Sequence, residues 1–450
     1  MASTYIQRIP SSAGNRKTFT FSAWIKGQTR NPAGTTGGAL FSCGTHISNG
    51  PLFIIDFLNG QNLRVEDTIA GGSQPINVRT NRVFRDTNAW YHIVVAVDTT
   101  QGTASDRVKI YVNGVQETSF STSTYPSQNI DTSVNNTDIA IVGCRAADST
   151  NKFFDGCMSH IHFTDGYAYT PTSFGETDST TGEWKIKTSV TGVSYGTNGF
   201  WWLKDSIATT DHSPNSNTFT VSAGTLTKTE DNPSNVFATW NLLWYPGNNM
   251  FGINGNTKLS EPSNVWQTSV STLANKTGKY YMEYKCEGNY AMIGCLDINN
   301  SKNGINDRNF GSSTDITSYG YGYYNADGQV YNAGSGSSFG NTYTSNDIMG
   351  VALDCDNKKM YFSKNGVWQN SGVPTSGSTG TGAVSLATGD DRCYVMACSV
   401  QDNNIGANFG NGYFGPTAIS SAGTNASNNG IFEYDVPTGY TALSTKGLNT

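Results

Sequence analysis

The sequence predicts an all-β protein made of two antiparallel β-sandwiches in tandem, with an irregular connector between them. Apolar and polar residues alternate in many short runs that are separated by Gly, Asn, Asp and Ser, which is typical of strands joined by turns. Only 14% of the 450 residues are charged, whereas Gly occurs 50 times. The same hairpin pattern also occurs twice, as KIYVNGVQ at residues 109–116 and as KKMYFSKNGVWQ at residues 358–369. An Asn-Gly pair between alternating apolar runs is the strongest short-range signal for a β-hairpin.

The first predicted sandwich occupies residues 1–205. Its strands are short β-rich runs, namely FTFSAWIKG, ALFSCG, LFIIDFLNG, WYHIVVAVDTT, RVKIYVNGV, DIAIVGC and MSHIHF. No segment has a convincing helical period, and turns recur at short spacing, which indicates a sandwich. Within the hairpin, Asn113 and Gly114 are residue types that accept the positive φ of a tight turn.

The second predicted sandwich occupies residues 259–415. Its strands are KYYMEYKCEG, YAMIGCLD, SYGYGYYN, DIMGVALDCD, KKMYFSKNG and RCYVMACSVQ. Asn365 and Gly366 form the turn of its hairpin in the same way. The recurrence of the turn therefore indicates two related sandwiches, and not a repeated active site.

The connector at residues 206–258 contains Trp240, Trp244 and Tyr245. A free linker rarely carries so many large aromatic residues, so we expect this connector to pack against a domain. Residues 416–450 are predicted to form a linker followed by a docking tail.

Composition narrows the possible partners and compartments. The net charge is −6, and Lys and Arg form no cluster, so nucleic acid is not an expected partner. No apolar run approaches the ~18 residues of a membrane-spanning helix, so no membrane insertion is expected. The N-terminal stretch MASTYIQRIPSSAGNRK lacks the apolar segment of a secretion signal. We therefore expect the protein to be made in a cytoplasm.

The eight cysteines are too sparse for a disulfide scaffold. Two pairs still flank short connections, Cys286 with Cys295 and Cys144 with Cys157. If each segment is a symmetric hairpin, the two partners lie opposite each other and within bridging distance. Synthesis in a cytoplasm favours free thiols, and a bridge at either pair stays open as the alternative.

Longer motifs resemble two known domain families. FTFSAWIKG, WYHIVVAVD followed by VKIYVNG, and FFDGCMSHIHFTDGYAYTP resemble the laminin-G-like, concanavalin A-like sandwich. YYMEYKCEG, AMIGCLD, SYGYGYYNADGQVY, DIMGVALDCDNKKMYFSKNGVWQ and ANFG resemble a SPRY domain. The resemblance implies two antiparallel, jelly-roll-like β-sandwiches in tandem, laminin-G-like and then SPRY-like.

The combination of motifs is more specific than either half. YIQRIPSSAGNRKTFTFSAWIKG, HFTDGYAYTPTSFGETDSTTGEW, YGTNGF, DNPSNVFATWN and IFEYDVPTGYTAL resemble virion proteins of tailed bacteriophages of the marine or cyanophage type. This resemblance implies a virion structural or tail-fibre-like protein that is made in the host cytoplasm. The implied partners are other virion proteins and a host-surface glycan or protein, and a homo-oligomer such as a trimer fits. The alternative is a purely architectural protein that decorates the capsid or fills a tail or fibre joint and binds only virion subunits.

Two acid pairs have the spacing that places carboxylates on one strand face, which a glycoside hydrolase needs. Glu283 and Glu287 are four residues apart, and Glu176 and Asp178 are two apart. Because Glu287 falls in a predicted turn and no third acid completes a cluster, we expect both pairs to be solvated surface. No Ser nucleophile lies in a G-x-S-x-G elbow, so the protein is not expected to be an enzyme.

Metal binding has little support in the sequence. His160 and His162 share a face of a predicted strand, but no third ligand is in view, so a polar strand face is favoured over a metal site. Laminin-G-like domains sometimes bind calcium through loop Asp residues, and Asp98, Asp106 and Asp138 lie near predicted loops. These three form no contiguous ligand motif. We expect no cofactor, with calcium as the open alternative.

The stretch YGYGYYNADGQVY is the best candidate for a glycan platform, because sugar rings stack on exposed Tyr and bond to Asn and Asp. In SPRY domains, partners dock on the loops at one end of the sandwich. The predicted ligand-binding residues are Tyr323, Tyr324, Asp327, Tyr343 and Trp368. Ordinary framework is the alternative for these tyrosines, and a core position is the alternative for the tryptophan.

Overall fold

The computed structural model describes residues 4–27, 38–45, 50–58, 61–86, 89–146, 152–187, 189–203, 209–242, 244, 250–262, 264–299 and 320–448. The chain divides into two compact units, residues 1–228 and 229–450, which we call the N-terminal and C-terminal units. Both are built from strands and confirm the predicted all-β fold. No helix in the described ranges is long and apolar enough to cross a membrane.

The N-terminal unit is a two-sheet sandwich. Its described strands are β1 (Tyr5–Arg8), β2 (Thr18–Gly27), β3 (Ala39–Gly44), β4 (Leu52–Phe57), β5 (Asn62–Thr68), β6 (Ile76–Val83), β7 (Trp90–Asp98), β8 (Val108–Val112), β9 (Val115–Gln116), β10 (Phe120–Thr124), β11 (Ala140–Val142), β12 (Gly156–Asp165), β13 (Gly175–Thr177), β14 (Trp184–Ile186), β15 (Phe200–Trp202) and β16 (Thr220–Ala223). Short 3-10 turns cover Ala104–Asp106 and Pro171–Ser173.

Within the described residues, one sheet of this unit has the order β10-β6-β5-β4-β3-β11-β1-β16 and the other has the order β15-β12-β2-β7-β8-β9. All of these ladders are antiparallel. Side chains from the two sheets interdigitate in one apolar core, where Phe21 of β2 stacks on Phe41 of β3 at a centroid distance of 5.2 Å. Both faces of β2 are buried, because a later segment that includes the β13-β14 hairpin covers its outer face.

The C-terminal unit is a second sandwich. Its described strands are β17 (Phe251–Ile253), β18 (Lys258–Glu261), β19 (Gln267–Asn275), β20 (Lys279–Cys286), β21 (Tyr290–Asp297), β22 (Gly320–Tyr324), β23 (Gln329–Asn332), β24 (Ser335–Ser338), β25 (Ile348–Asp354), β26 (Lys359–Lys364), β27 (Val367–Trp368), β28 (Val384–Ser385), β29 (Tyr394–Gln401), β30 (Asn403–Asn408), β31 (Tyr413–Phe414), β32 (Thr417–Ala418) and β33 (Thr441–Ala442). Two 3-10 segments, Gln369–Ser371 and Pro374–Thr379, and one short helix, Thr445–Leu448, complete the described elements.

Among the described residues of this unit, one sheet has the order β17-β18-β30-β20-β25-β26-β27, with β28 on β26 and β33 on β20. The other sheet has the order β19-β29-β21-β22-β23-β24. We call the second one the six-stranded sheet of this unit. Alternation along β20 explains the core, because Met282 and Tyr284 face the other sheet whereas Tyr281 and Glu283 face outward.

The connector and the tail are parts of the two units. β16 of the connector pairs with β1, and Trp240 is fully buried in the core of the C-terminal unit. Tyr245 lies outside the described residues. The tail packs on its own unit, where β33 pairs with β20 and Tyr440 is buried beside Tyr281. The tail therefore covers the outer face of its own sheet.

Both predicted Asn-Gly hairpins are confirmed. Val112 pairs with Val115 across the first turn, and Lys364 pairs with Val367 across the second. The symmetric hairpins on which a bridge at either cysteine pair depended do not form. β20 and β21 belong to different sheets, and so do β11 and β12. All eight cysteines are free thiols in the structure.

Candidate ligand-binding surface

Four aromatic side chains form a row on the outer face of the six-stranded sheet. Trp266 lies 6.4 Å from Tyr290 and 5.9 Å from Tyr324, and Tyr324 lies 6.0 Å from Tyr331, measured between ring centroids. Tyr290 is 42% exposed, and the other three rings are half-buried. We call these four residues the aromatic strip.

Strand alternation places the strip on this face. Along β22, Tyr323 points into the core, so Tyr324 points to the opposite face, and Tyr331 is its neighbour from β23. Beneath the strip lies an apolar layer of Val270, Met292, Leu296, Val395 and Ala397. Tyr324 pairs with Met292 and Tyr331 pairs with Gly322, so the rings of Tyr290, Tyr324 and Tyr331 follow a diagonal across β21, β22 and β23.

Polar groups surround the strip. The Asp327 carboxylate accepts hydrogen bonds from the Tyr331 hydroxyl at 2.7 Å and from the backbone N–H of Gln329 at 2.9 Å. The bond to Asp327 raises the pKa of Tyr331, so this hydroxyl stays protonated at neutral pH. On the other side, the Gln401 side-chain amide donates to Asn264 Oδ1 at 2.9 Å. These partners are carboxylates and amides, and they include no cation.

The structure separates the five predicted ligand-binding residues. Tyr324 and Asp327 lie at the strip, and Asp327 is exposed. Tyr323 and Tyr343 are buried framework residues whose rings pack together at 5.6 Å, so neither ring can stack on a ligand at the surface. Trp368 is half-buried on the other sheet, against Tyr281.

The sequence analysis missed Trp266, Tyr290 and Tyr331. Tyr331 had a local signal, because Val330 beside it is the apolar residue expected to face the core. Tyr323 and Tyr324 are consecutive residues of one strand, so their side chains point to opposite faces of the sheet, and this alternation would also have separated them. Trp266 had no local signal, since it reaches the strip only through the pairing of β19 with β29.

The acid pairs have different environments from those predicted. Glu283 is fully buried, not solvated, and burial raises its pKa to about 7. Its carboxylate accepts the backbone N–H groups of Glu433 and Tyr434, each at 2.8 Å, so it anchors the tail. Glu287 forms an ion pair with Lys258.

The second acid pair lies at the surface. Glu176 and Asp178 both form ion pairs with Lys185, at 3.5 and 3.0 Å. Asp178 also accepts the backbone N–H groups of Thr180 and Thr181, and these bonds hold its pKa well below its usual range. A carboxylate in this setting caps a turn and is too weak a base to take a proton at neutral pH.

A Ser-His contact in the N-terminal unit resembles part of a catalytic site. His92 Nε2 lies 2.9 Å from Ser22 Oγ, and the Trp184 indole N–H donates to His92 Nδ1 at 3.0 Å. The imidazole stacks between Trp24 and Trp184 and is fully buried, and burial lowers its pKa to about 3. A substrate at the surface has no access to this pair, so the contact is structural.

His160 and His162 are buried as well, and both rings pack against Trp201. A bulge in β12 interrupts the alternation between Ser159 and His162, and His160 has a φ of 47°. His162 Nδ1 lies 2.8 Å from the Tyr195 hydroxyl, and burial lowers the pKa of His162 well below its usual value. The two residues thus belong to a buried layer of aromatic packing, whereas the sequence had predicted only a polar strand face.

The three aspartates considered for calcium are held by other groups. Asp98 accepts the Thr100 hydroxyl at 2.6 Å, Asp106 pairs with Lys109 at 3.1 Å, and Asp138 accepts the Asn136 amide at 3.0 Å. Among the described residues, no group of three or more His, Cys, Asp or Glu side chains is arranged to hold a metal ion.

Two segments match known families. Residues 2–174 match the family described as the concanavalin A-like lectin/glucanases superfamily, and residues 279–409 match the SPRY domain. No curated protein matches the chain.

Solved structures with similarity to this chain include sandwich proteins from three organisms. The SPRY domain of human HERC1 has 15% identity and a TM-score of 0.24, and the match covers 33% of this chain and 86% of that chain. The heptameric SAP-like pentraxin from Limulus polyphemus has 15% identity and a TM-score of 0.27, over 38% of this chain and 72% of that chain. Domain 4 of the Geobacillus stearothermophilus arabinanase AbnA, solved in complex with arabinotriose, has 18% identity and a TM-score of 0.25, over 35% and 65%.

Proposed function

We propose that this chain, a concanavalin A-like domain followed by a SPRY domain, is a non-enzymatic binding protein whose aromatic strip recognises a neutral glycan. The observation that carries the proposal is the row of four partly exposed rings on an apolar layer. Flat rings supply large contact areas at a low cost in conformational entropy, and Tyr adds a hydroxyl for hydrogen bonding.

The charges around the strip favour a neutral ligand. Asp327 and Asp402 are exposed carboxylates beside it, where Asn289 donates to Asp402 at 3.3 Å. An anionic glycan would meet like charges there with no cation among these contacts, which is unfavourable. A neutral sugar has hydroxyls that donate to Asp327 and Asp402 and accept from the Asn and Gln amides.

For the setting of this activity, we propose display on a bacteriophage virion that is assembled in the host cytoplasm. The support is the sequence resemblance of the motifs that extend beyond the two domains. Many copies on one particle would turn weak binding by single strips into firm adhesion to a host-surface glycan. The low charge content fits stacking and hydrogen bonding, which depend little on salt.

Binding of the chain to immobilised neutral polysaccharides tests the role of the strip. Tyr290→Ala and Trp266→Ala are expected to weaken binding by about tenfold or more each, because each removes one stacking ring. Val367→Ala is the matched control, since this apolar residue is 67% exposed on the other sheet. Equal binding by all four proteins would exclude the strip as the glycan site.

Adsorption competition tests the virion setting separately. Purified chain that is mixed with host cells is expected to slow virion adsorption in a dose-dependent way, and the Trp266→Ala variant is expected to do so less. A folded, oligomeric chain that leaves adsorption unchanged would favour the purely architectural role.

A further inference from the structure

The N-terminal unit presents its own exposed aromatic pair directly after β12. Tyr167 is 43% exposed, and its ring stacks on the ring of Tyr169 at a centroid distance of 5.7 Å and an interplanar angle of 18°. The pair lies in the segment FTDGYAYTP, which the aromatic strip of the other unit does not include.

Hydrogen bonds hold this pair rigidly at the surface. The Tyr167 carbonyl accepts the hydroxyls of Thr20 and Thr164, each at 2.8 Å. Thr20 Oγ1 in turn accepts the Tyr169 backbone N–H at 2.8 Å, and the Tyr169 hydroxyl accepts the Ser194 backbone N–H at 2.9 Å. The backbone of both tyrosines is therefore fixed before any ligand arrives.

The Tyr169 ring also rests against the sandwich. It meets the buried ring of Phe174 edge-on at 6.2 Å and 90°. Tyr167 lies above it with its ring supported on one side and exposed to solvent. A braced ring loses little conformational entropy on binding, which is the condition under which one stacking contact gives useful affinity.

A single exposed tyrosine is ordinary on a protein surface. This pair differs, because three hydrogen bonds hold the backbone of both tyrosines, a fourth holds the Tyr169 hydroxyl, and the Tyr167 ring stacks on Tyr169 while it remains exposed. All of the groups in these contacts are uncharged hydroxyls, backbone amides and aromatic rings. Such a surface suits a ligand with an apolar face and many hydroxyls, and it offers no ion pair to a charged partner.

We infer that Tyr167 and Tyr169 form a second binding site for a neutral glycan, independent of the aromatic strip. Each chain then carries one stacking site on each sandwich. Two linked weak sites raise the apparent affinity for a polysaccharide surface well above that of either site alone.

Counting bound ligands tests the second site. The probes are neutral hexasaccharides of glucose, mannose, galactose and N-acetylglucosamine, measured by equilibrium dialysis against the full-length chain. For the probe that binds, we expect two sites per chain in the parent, one in Tyr167→Ala, one in Trp266→Ala and none in the double variant. Tyr167→Phe is expected to keep both sites, because it retains the ring.

The outcomes distinguish this inference from the function proposed for the strip. A parent with one site, lost in Trp266→Ala and kept in Tyr167→Ala, overturns the second site and leaves the strip intact. Loss in Tyr167→Ala alone supports the second site and overturns the strip. Equal loss in Tyr167→Phe and Tyr167→Ala overturns stacking at Tyr167, and absence of binding to every probe overturns both sites.

Discussion

The two Asn-Gly hairpins form the same turn in different surroundings. Asn113 and Gly114 have φ values of 48° and 81°, and Asn365 and Gly366 have φ values of 47° and 81°. The Asn113 side chain accepts the backbone N–H of His92 in β7, and the Asn365 side chain accepts that of Ile348 in β25, each at 2.8 Å. β7 and β25 are the strands that come directly before the two hairpins. The same Asn-Gly pair therefore gives the same turn geometry in both hairpins.

An aromatic ring covers each turn, but the two rings are fastened differently. Trp184 lies over Gly114, and its indole N–H bonds to the neutral ring of His92. Tyr434 lies over Gly366, and its backbone N–H bonds to the carboxylate of Glu283. The shared Asn-Gly-Val sequence thus forms the same turn twice, while distant segments supply covering rings that are held by different hydrogen bonds.

The largest expected difference between the two covers is their response to pH. Glu283 has its pKa raised from 4.5 to about 7, so its contribution to stability is complete below pH 4.5 and is lost as pH rises through 7, by up to about 3 kcal/mol. His92 has its pKa lowered from 6.5 to about 3, so its contribution is complete above pH 6.5 and is lost as pH falls. Hydrogen exchange, corrected for intrinsic rates, should therefore show the Tyr434 cover opening towards alkaline pH and the Trp184 cover opening towards acid.

Glu283→Gln is the control for the alkaline response. This variant lacks the titrating group, so its Tyr434 peptide should show no extra opening between pH 4.5 and about pH 8. Exchange has to be measured locally, because Asp67 lies in the same unit as His92 and changes the stability of that unit in the opposite direction. Burial raises the pKa of Asp67 to about 6, so its contribution to stability is lost as pH rises, whereas that of His92 is lost as pH falls. Parallel pH responses in the parent and the variant would contradict the role of Glu283.

The second expected difference concerns the turn glycines. A Cβ added at Gly114 lies 2.5 Å from the Trp184 ring, and one added at Gly366 lies 2.7 Å from the Tyr434 ring. Both substitutions also place Ala at positive φ, at a cost of about 1–2 kcal/mol. We expect Gly114→Ala to destabilise its unit by about 3 kcal/mol and Gly366→Ala by about 2 kcal/mol, because the bonded indole yields less readily. Denaturant unfolding, followed through peptides of each unit, measures both, and a larger loss in Gly366→Ala would reverse the comparison.

The smallest expected losses of stability come from conservative changes to the covering rings. Trp184→Phe leaves Nδ1 of buried His92 without its donor, at a cost of about 1–3 kcal/mol. The Tyr434 hydroxyl makes no hydrogen bond within the described part of the chain, so Tyr434→Phe should change stability by less than about 0.5 kcal/mol. Equal effects in the same unfolding assay would show that the indole hydrogen bond contributes nothing.

Short-range patterns predicted the fold well. Both hairpins and the all-β class follow from Asn-Gly turns and alternating runs, and the two domain families that the motifs resembled are confirmed. The hairpins considered around the two cysteine pairs do not form, for a physical reason. Two strands joined by a short loop can pair with each other, or the second strand can join the facing sheet. Here β20 pairs with β25 and β21 pairs with β29, and both of these partners lie far away in the chain.

The candidate site was predicted only in part. Tyr324 and Asp327 were identified from an aromatic stretch, but Tyr323 and Tyr343 were grouped with them because the face of each strand was not assigned. Glu283 was misplaced for a related reason. Its strand has polar character on one face, which normally indicates solvent, and the tail that buries this face lies about 150 residues later.

By itself, the sequence determined the turns, the strand periods and the two-sandwich class, because these depend on residues that are neighbours along the chain. The tertiary structure decided which sheet each strand joins, which aromatic rings stay at the surface and which segment covers each outer face. Those outcomes depend on pairings between residues more than a hundred positions apart, which no local pattern records. The pairing of Gln267 with Val400, for example, is what brings the neighbouring Trp266 to the sheet that contains Tyr324.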